Sequence, residues 1–297
     1  MPHARLGNGI ELAYDTFGDA TNPPLVLIMG LGAQMILWED EFCTELAAAG
    51  FRVVRFDNRD VGLSTQLDQL GVPNVFEAMQ AAFAGKPVRA PYRLEDMADD
   101  TVALMDAIGI GRAHVVGASM GGMIAQTLAI RHPDRLLTMT SIMSTTGDVT
   151  LPPATPEAMR VLLTPPPPDR EGNIERAIEA WKVIGSTKFP LDEERMRALF
   201  DRAFDRGYHP DGVARQMAAI MASGDRTAAL HAVQVPTLVI HGDADPLVRV
   251  EGGRATAAAI PGAKLVIIAG MGHDLPRGAW RQIIDAIGEL AARARAA

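Results

Sequence analysis

One cysteine occurs in 297 residues, Cys43, so no disulfide can form within the chain. It lies in the amphipathic helical stretch Glu41 to Leu46, where a small buried side chain is its expected role. No group of cysteines and histidines has the spacing of a zinc site, so neither a metal nor a cofactor is expected. A block of lysines and arginines is also missing. With 28 basic against 36 acidic residues the formal net charge is −8. That balance argues against nucleic acid and against an anionic membrane as partners.

Long bilayer-type runs are lacking as well. The stretch Asn22 to Trp38 is uncharged but carries two prolines and two glycines, and Ala113 to Ile130 carries three glycines, His114, Ser119 and Gln126. Both read as a strand running into a loop or helix. No signal-type apolar segment follows Met1-Pro2-His3-Ala4-Arg5, and a soluble, cytoplasmic protein acting on a small molecule is expected. There are no internal repeats.

What the chain does have is apolar residues, 48% of the total, enough for a substantial core. It also has Gly117-Ala118-Ser119-Met120-Gly121, which reads G-x-S-x-G. The β-type run Ala113 to Val116 precedes it and the helical run Gly122 to Ile130 follows. This strand–turn–helix context is what a nucleophile elbow requires. The turn must lift a hydroxyl clear of a sheet, and side chains two residues to either side would collide with neighbouring backbone.

Strand-like and helix-like runs alternate around it. Strands are expected at Ile10 to Tyr14, Leu25 to Met29, Phe51 to Phe56, Leu136 to Met143, Thr237 to His241 and Lys264 to Ile268. Helices are expected at Trp38 to Ala49, Leu94 to Ile108 and Ala279 to about Arg293. The acidic run within Leu94 to Ile108 falls mostly off its apolar face and reads as solvated. The alternation predicts an α/β protein with a mostly parallel central sheet flanked by helices. The section from Ser144 to Arg226 breaks the rhythm. It opens with proline-rich loops and continues with helical patterns at Asn173 to Ile184, Asp192 to Asp205 and Pro210 to Ala222, with no convincing strand. We read it as a helical cap (144–226) inserted into a core formed by 1–143 and 227–297.

A serine hydroxyl needs a base in hydrogen-bond reach and a carboxylate to orient that base. In this topology they follow the serine in the order acid, then histidine, each after a strand. After the strand at Thr237 comes Gly242-Asp243-Ala244-Asp245-Pro246, and after the strand at Lys264 comes Gly270-Met271-Gly272-His273. His273 is the expected base. Asp245 is the preferred acid, with Asp243 as its rival, read as a loop brace, and Asp148 as a third candidate. Two backbone N–H groups should stabilise a tetrahedral intermediate, that of Met120 and that of Leu31 in Gly30-Leu31-Gly32-Ala33.

These loops resemble those of the α/β-hydrolase superfamily, over nearly the whole chain. Phe56-Asp57-Asn58-Arg59-Asp60-Val61-Gly62-Leu63-Ser64 is similar to that family's D-x-R-G-x-G-x-S segment, with Asp60 where glycine is usual. Met29-Gly30 stands where most members have His-Gly. Together these features resemble the serine esterase branch of aclacinomycin methylesterase and its relatives, which cleave carboxylic methyl esters. The resemblance implies Ser119 as nucleophile, Asp245 and His273 as its partners, a helical cap over the pocket, and Arg59 as a loop anchor. The Asp57–Arg59 pair is read as a partly buried brace.

An apolar pocket is expected, lined by Met35, Leu37 and Trp38 after the oxyanion loop and by an apolar cap underside of Trp181, Phe189, Phe200 and Phe204 with Met217, Ile220 and Met221. Such a lining favours an uncharged, medium or bulky ester, hydrolysed through an acyl-enzyme. Two readings within the fold compete, a C–C bond hydrolase and a cofactor-free perhydrolase. The first wants cations under the lid, which Arg160, Arg176, Lys182 or Lys188 could supply. A small-molecule receptor with residual ester cleavage is the alternative of a different class.

Overall fold

The computed structural model describes residues 1–165 and 167–296, with the side chains of the last two left aside. The apolar runs form a sheet that is eight-stranded among these residues. Its strands are β1 His3–Arg5, β2 Glu11–Phe17, β3 Pro24–Ile28, β4 Arg52–Phe56, β5 Ala113–Ala118, β6 Leu136–Ile142, β7 Thr237–Gly242 and β8 Lys264–Ile268. Their order is β1-β2-β4-β3-β5-β6-β7-β8. The first two strands pair antiparallel, and β2 pairs antiparallel with β4. Every junction from β4 to β8 is parallel.

The unbroken apolar runs are explained by burial on both faces. On β3, Val26 and Ile28 pack into one core cluster. Leu25, Leu27 and the following Met29 pack into the other. The first cluster is closed by α3 Leu94–Ala107 and α4 Met120–Arg131, the second by α1 Asp40–Ala48 and α11 Arg277–Ala296. Cys43 lies in the second cluster, where burial pushes its thiol up to about 12.

Between β6 and β7 the chain forms α5 Pro156–Leu163, α6 Arg170–Ile184, α7 Glu193–Arg206 and α8 Pro210–Ser223, with no strand among the described residues of that stretch. Side chains of Thr155, Asp169 and Asp192 cap the first three of these helices. A short turn, α9 Thr227–Leu230, leads back to β7. We propose that these helices are the cap and name them so. The helical expectations begin and end within a few residues of the observed elements. Among the described residues four helices lay outside them: α2 Val75–Phe83, α5, the single turn α9 and α10 Val250–Ala259. The helix expected from Trp38 begins at Asp40, and Met35–Leu37 before it is a single 3₁₀ turn.

Candidate active site

Ser119 sits between β5 and α4 with φ 55° and ψ −119°, a left-handed backbone that costs a residue with a Cβ about 1–2 kcal/mol. The surrounding sheet holds it there. Its N–H donates to Ile142 O at 2.9 Å, and Ser144 Oγ donates to its carbonyl at 2.8 Å. The flanking glycines are dictated by contact. A Cβ on Gly117 would stand 2.0 Å from Gly121 O, and one on Gly121 would stand 2.0 Å from Ile28 O. The turn is thus wedged between β3 and α4 with no room for a side chain.

Three residues that are distant in sequence meet at this turn. Ser119 Oγ lies 2.9 Å from His273 Nε2, and His273 Nδ1 lies 2.7 Å from Asp245 Oδ2. Asp245 has no side-chain exposure, and its other oxygen accepts the N–H groups of Leu247 and Val248, both at 2.9 Å. Burial alone would raise its carboxyl. The facing His273 and hydrogen bonds from His241 and His273 outweigh that, and the net position is well below the usual carboxylate range. Asp243 does not compete for the imidazole: its Oδ1 accepts the Gly270 N–H at 2.6 Å and braces the histidine loop. Asp148 accepts from Thr150 instead.

The histidine loop is clamped by the end of α6 and the residues after it. His273 N–H donates to Ile184 O at 2.7 Å, and Gly272 N–H donates to Ser186 Oγ at 3.0 Å. Thr187 N–H donates to Gly270 O at 2.8 Å. The Ser186 hydroxyl donates onward to Asp274, whose carboxyl is raised, chiefly by burial. Gly272 has no space for a side chain, because a Cβ would lie 2.4 Å from the carbonyl of Gly185.

Opposite the histidine is the loop after β3. Gly30 lies so close that a Cβ there would approach Ser119 Cβ to 3.1 Å. Gly32 N–H donates to Gln216 Oε1 at 2.8 Å, and Ala33 N–H to Gly30 O at 3.3 Å. The Leu31 N–H has no acceptor among the described residues. Met120 is the first residue of α4, where a backbone N–H finds no partner inside the helix.

These groups open onto a cavity of about 1120 Å³, walled by both core and cap. Leu31, Ser119, Met120 and His273 line it, together with Trp181, Phe189, Met217, Ile220 and Met221. Met35 and Trp38, expected in this lining, turn into the body of the protein. Positions three apart share a face in a 3₁₀ turn, and that face packs on the core, leaving both residues fully buried. Trp38 stacks on Phe42 with centroids 5.6 Å apart, while Leu37, as expected, and Glu39 face the cavity. Phe200 and Phe204, also expected there, stay outside the lining: Phe200 packs on Trp181 with centroids 6.0 Å apart and Phe204 on Tyr208 at 5.5 Å. Arg160, Arg176, Lys182 and Lys188 stay outside the lining. Arg176 donates to backbone carbonyls at the end of α5, and Lys182 pairs with Glu193 at 3.0 Å.

The loop from Asp57 to Ser64 also differs from expectation. Arg59 pairs with Asp100 at 2.6 Å, not with Asp57. Asp57, fully buried, accepts the Met35 N–H at 2.7 Å and pairs with Arg206 of α7. Asp60 has φ 67°, which explains why glycine suits the position. Its carboxylate accepts a fork from Arg215 of α8 at 2.8 and 2.9 Å, the Tyr92 hydroxyl at 2.8 Å and the Leu67 N–H at 2.7 Å. Two carboxylates of one loop therefore anchor two arginines of the cap. A lone Asp in a glycine position was the one signal of this in the sequence, and nothing local pointed to its partner.

The family model described as the alpha/beta hydrolase fold matches residues 23–276, and the chain belongs to that family. Within it, the chain is similar to two curated proteins. One is the rhodomycin D methylesterase DauP of Streptomyces sp. (strain C5), 31% identical, with 94% of each chain covered. The other is the rhodomycin D methylesterase DnrP of Streptomyces peucetius, also 31% identical, with 97% of each covered. Among solved structures, the enol-lactonase from Burkholderia xenovorans LB400 superposes with a TM-score of 0.70 at 25% identity, and 100% of each chain is covered. Among the described residues no helix is long and apolar enough to cross a membrane, and no three histidine, cysteine or carboxylate side chains cluster as a metal site would need.

Proposed function

We propose that this protein is a serine carboxylesterase that hydrolyses uncharged, medium or bulky carboxylic esters, methyl esters among them, through an acyl-enzyme. The observation that carries the reading is the continuous hydrogen-bonded series Asp245–His273–Ser119 on the wall of a large, mainly apolar cavity. With Nδ1 protonated and held by Asp245, His273 Nε2 accepts the Ser119 proton as Oγ attacks the ester carbon. The carbonyl oxygen becomes an oxyanion facing the Leu31 and Met120 amides. His273 then delivers the proton to the departing alkoxide, and the alcohol leaves. A water molecule, deprotonated by the same nitrogen, attacks the acyl-enzyme and frees the acid, restoring Ser119.

The curated relatives act on a methyl ester, which supports that leaving group here. The cavity volume exceeds what a short-chain ester fills and suits a bulky acyl part. Arg160, Arg176, Lys182 and Lys188 are outside the lining, but Lys86, Arg93, Arg195, Arg226, Arg249 and Arg277 are in it, so a C–C bond hydrolase is the competing reading. A cytoplasmic setting, where the Cys43 thiol stays reduced, belongs to the same reading.

The test is a panel of p-nitrophenyl and methyl esters of increasing acyl size, run on wild type and Ser119→Ala. Steady multiple turnover is expected, with kcat falling roughly 10⁴- to 10⁶-fold in the variant. Equal rates in both proteins, or a single burst with no turnover, would remove the esterase reading.

A further inference from the structure

The loop Gly30 to Ala33 has two glycines, no polar side chain and, of its own, only the hydrogen bond from Ala33 N–H to Gly30 O at 3.3 Å. In the family the segment usually begins His-Gly, and here that histidine is Met29. Neighbours supply the support. Asn58 Nδ2 donates to Met29 O at 3.0 Å, and Asp57 takes the Met35 N–H downstream. In the middle of the loop the support comes from the cap. Gln216, fully buried on α8, accepts the Gly32 N–H at 2.8 Å with its Oε1. Its Nε2 donates to Arg59 O at 2.8 Å. The amide therefore bridges the oxyanion loop and the Asp57–Ser64 loop, with donor and acceptor both used.

Gln216 cannot drift. Its neighbour Arg215 is forked onto Asp60, and both side chains are buried. One turn earlier on the same face, Val213 presses on Gly32, where a Cβ would lie 2.9 Å from Val213 Cγ2. Gly32 itself holds φ 63°. A trans peptide is planar, so fixing the Gly32 N–H fixes the Leu31–Gly32 plane, one peptide unit from the Leu31 N–H. The next turn of α8 presents Met217, Ile220 and Met221 to the cavity.

We propose that Gln216 is a positioning residue for ester hydrolysis: from the cap, it holds the oxyanion loop so that the Leu31 amide faces the carbonyl under attack by Ser119. The inference rests on the esterase reading above. One helix then carries both the apolar wall for the substrate and the support for the oxyanion donor. A misplaced donor weakens transition-state binding and leaves ground-state binding alone, so the signature is a loss in kcat with KM unchanged.

The test uses Gln216→Met, which keeps the length and loses both bonds. It also uses Gln216→Asn, which keeps the amide but is a methylene too short to span both partners. Active sites are titrated with diethyl p-nitrophenyl phosphate, and p-nitrophenyl butyrate turnover is expressed per titrated site. We expect kcat roughly 10- to 100-fold lower in both variants, KM within about twofold, and a parallel fall in the phosphorylation rate. Amide hydrogen exchange in the peptide spanning the loop should be faster by a similar factor. A Gln216→Met protein that does not fold leaves Gln216→Asn to decide. Faster loop exchange with wild-type kcat in either folded variant would overturn the proposal and leave Gln216 a structural brace. Wild-type turnover that survives Ser119→Ala would overturn the esterase reading itself, a separate outcome.

Discussion

The Ser119 elbow and the His273 loop face each other across 2.9 Å but are built by opposite means. The elbow is held by its own surroundings in the sheet: Ile142, Ser144, and glycines wedged against β3 and α4. The histidine loop is braced by Asp243 of the core and is clamped in addition from the helices between β6 and β7, through Ile184, Ser186 and Thr187. The oxyanion loop follows the second pattern, through Gln216 and Val213. Ser119 is thus held by the neighbouring strands and by Ser144 just beyond β6, whereas the His273 and Gly30–Ala33 loops draw part of their support from the helices between β6 and β7. We propose that these helices both cover the cavity and complete the site.

The strongest challenge to that contrast is Gly121→Ala. A methyl group 2.0 Å from Ile28 O cannot be accommodated without moving β3 or α4. We expect a loss of about 4 kcal/mol or more in urea denaturation, or no folded protein. Tolerance of this change would mean that the elbow is not wedged.

Asp60→Gly tests the anchor between core and cap. Glycine suits φ 67° better, which returns about 1 kcal/mol. Arg215 would keep only exposed Asp68 and the Gly71 carbonyl, however, and stranding one partner of a buried ion pair costs about 3–5 kcal/mol. A net destabilisation is expected in urea midpoints. A neutral or stabilising result would show that the anchor is dispensable.

Ser186→Ala removes an acceptor for Gly272 N–H and a donor to Asp274. We expect stability to fall by about 1–3 kcal/mol and kcat to fall several-fold as His273 loses register. Faster cleavage by a protease between β6 and β7, with the rest of the chain unaffected, would place the loosening in the cap.

The smallest effect concerns Asp274. Burial holds its carboxyl above the usual carboxylate range. The folded state therefore keeps this proton to a higher pH than the unfolded chain does. The associated stability is present below the unfolded carboxylate value and is lost as pH rises through the folded one. Asp274→Asn can still accept from Ser186 and has no such dependence. Its stability relative to wild type should improve from pH 4 to pH 7, and a decline over that range would contradict burial as the cause.

The sequence made the elbow legible because its information is contiguous: an apolar strand, G-x-S-x-G and a helix, within 18 residues from Ala113 to Ile130. Asp245 and His273 were within reach of the sequence because each follows a strand whose apolar run stands out, but the choice between Asp243 and Asp245 needed the structure, in which Asp243 takes the Gly270 N–H. The cap contacts were not legible. Arg206 and Asp57 are 149 positions apart, and Gln216 and Gly32 are 184 apart. No local pattern encodes such pairs, and so Asp57 was assigned to its near neighbour Arg59. Met35 and Trp38 were misplaced for a related reason. Their apolarity fits a pocket and a core equally well, and only the 3₁₀ turn decides which way they face.

The central claim is that the Ser119 hydroxyl is made reactive by His273. It is tested most directly by treating the protein with diethyl p-nitrophenyl phosphate, mapping the adduct by peptide mass spectrometry, and timing its formation in wild type and His273→Ala. One adduct is expected, on Ser119, forming roughly 10³-fold or more slowly without the imidazole. An adduct on another residue, or an unchanged rate in His273→Ala, would contradict it.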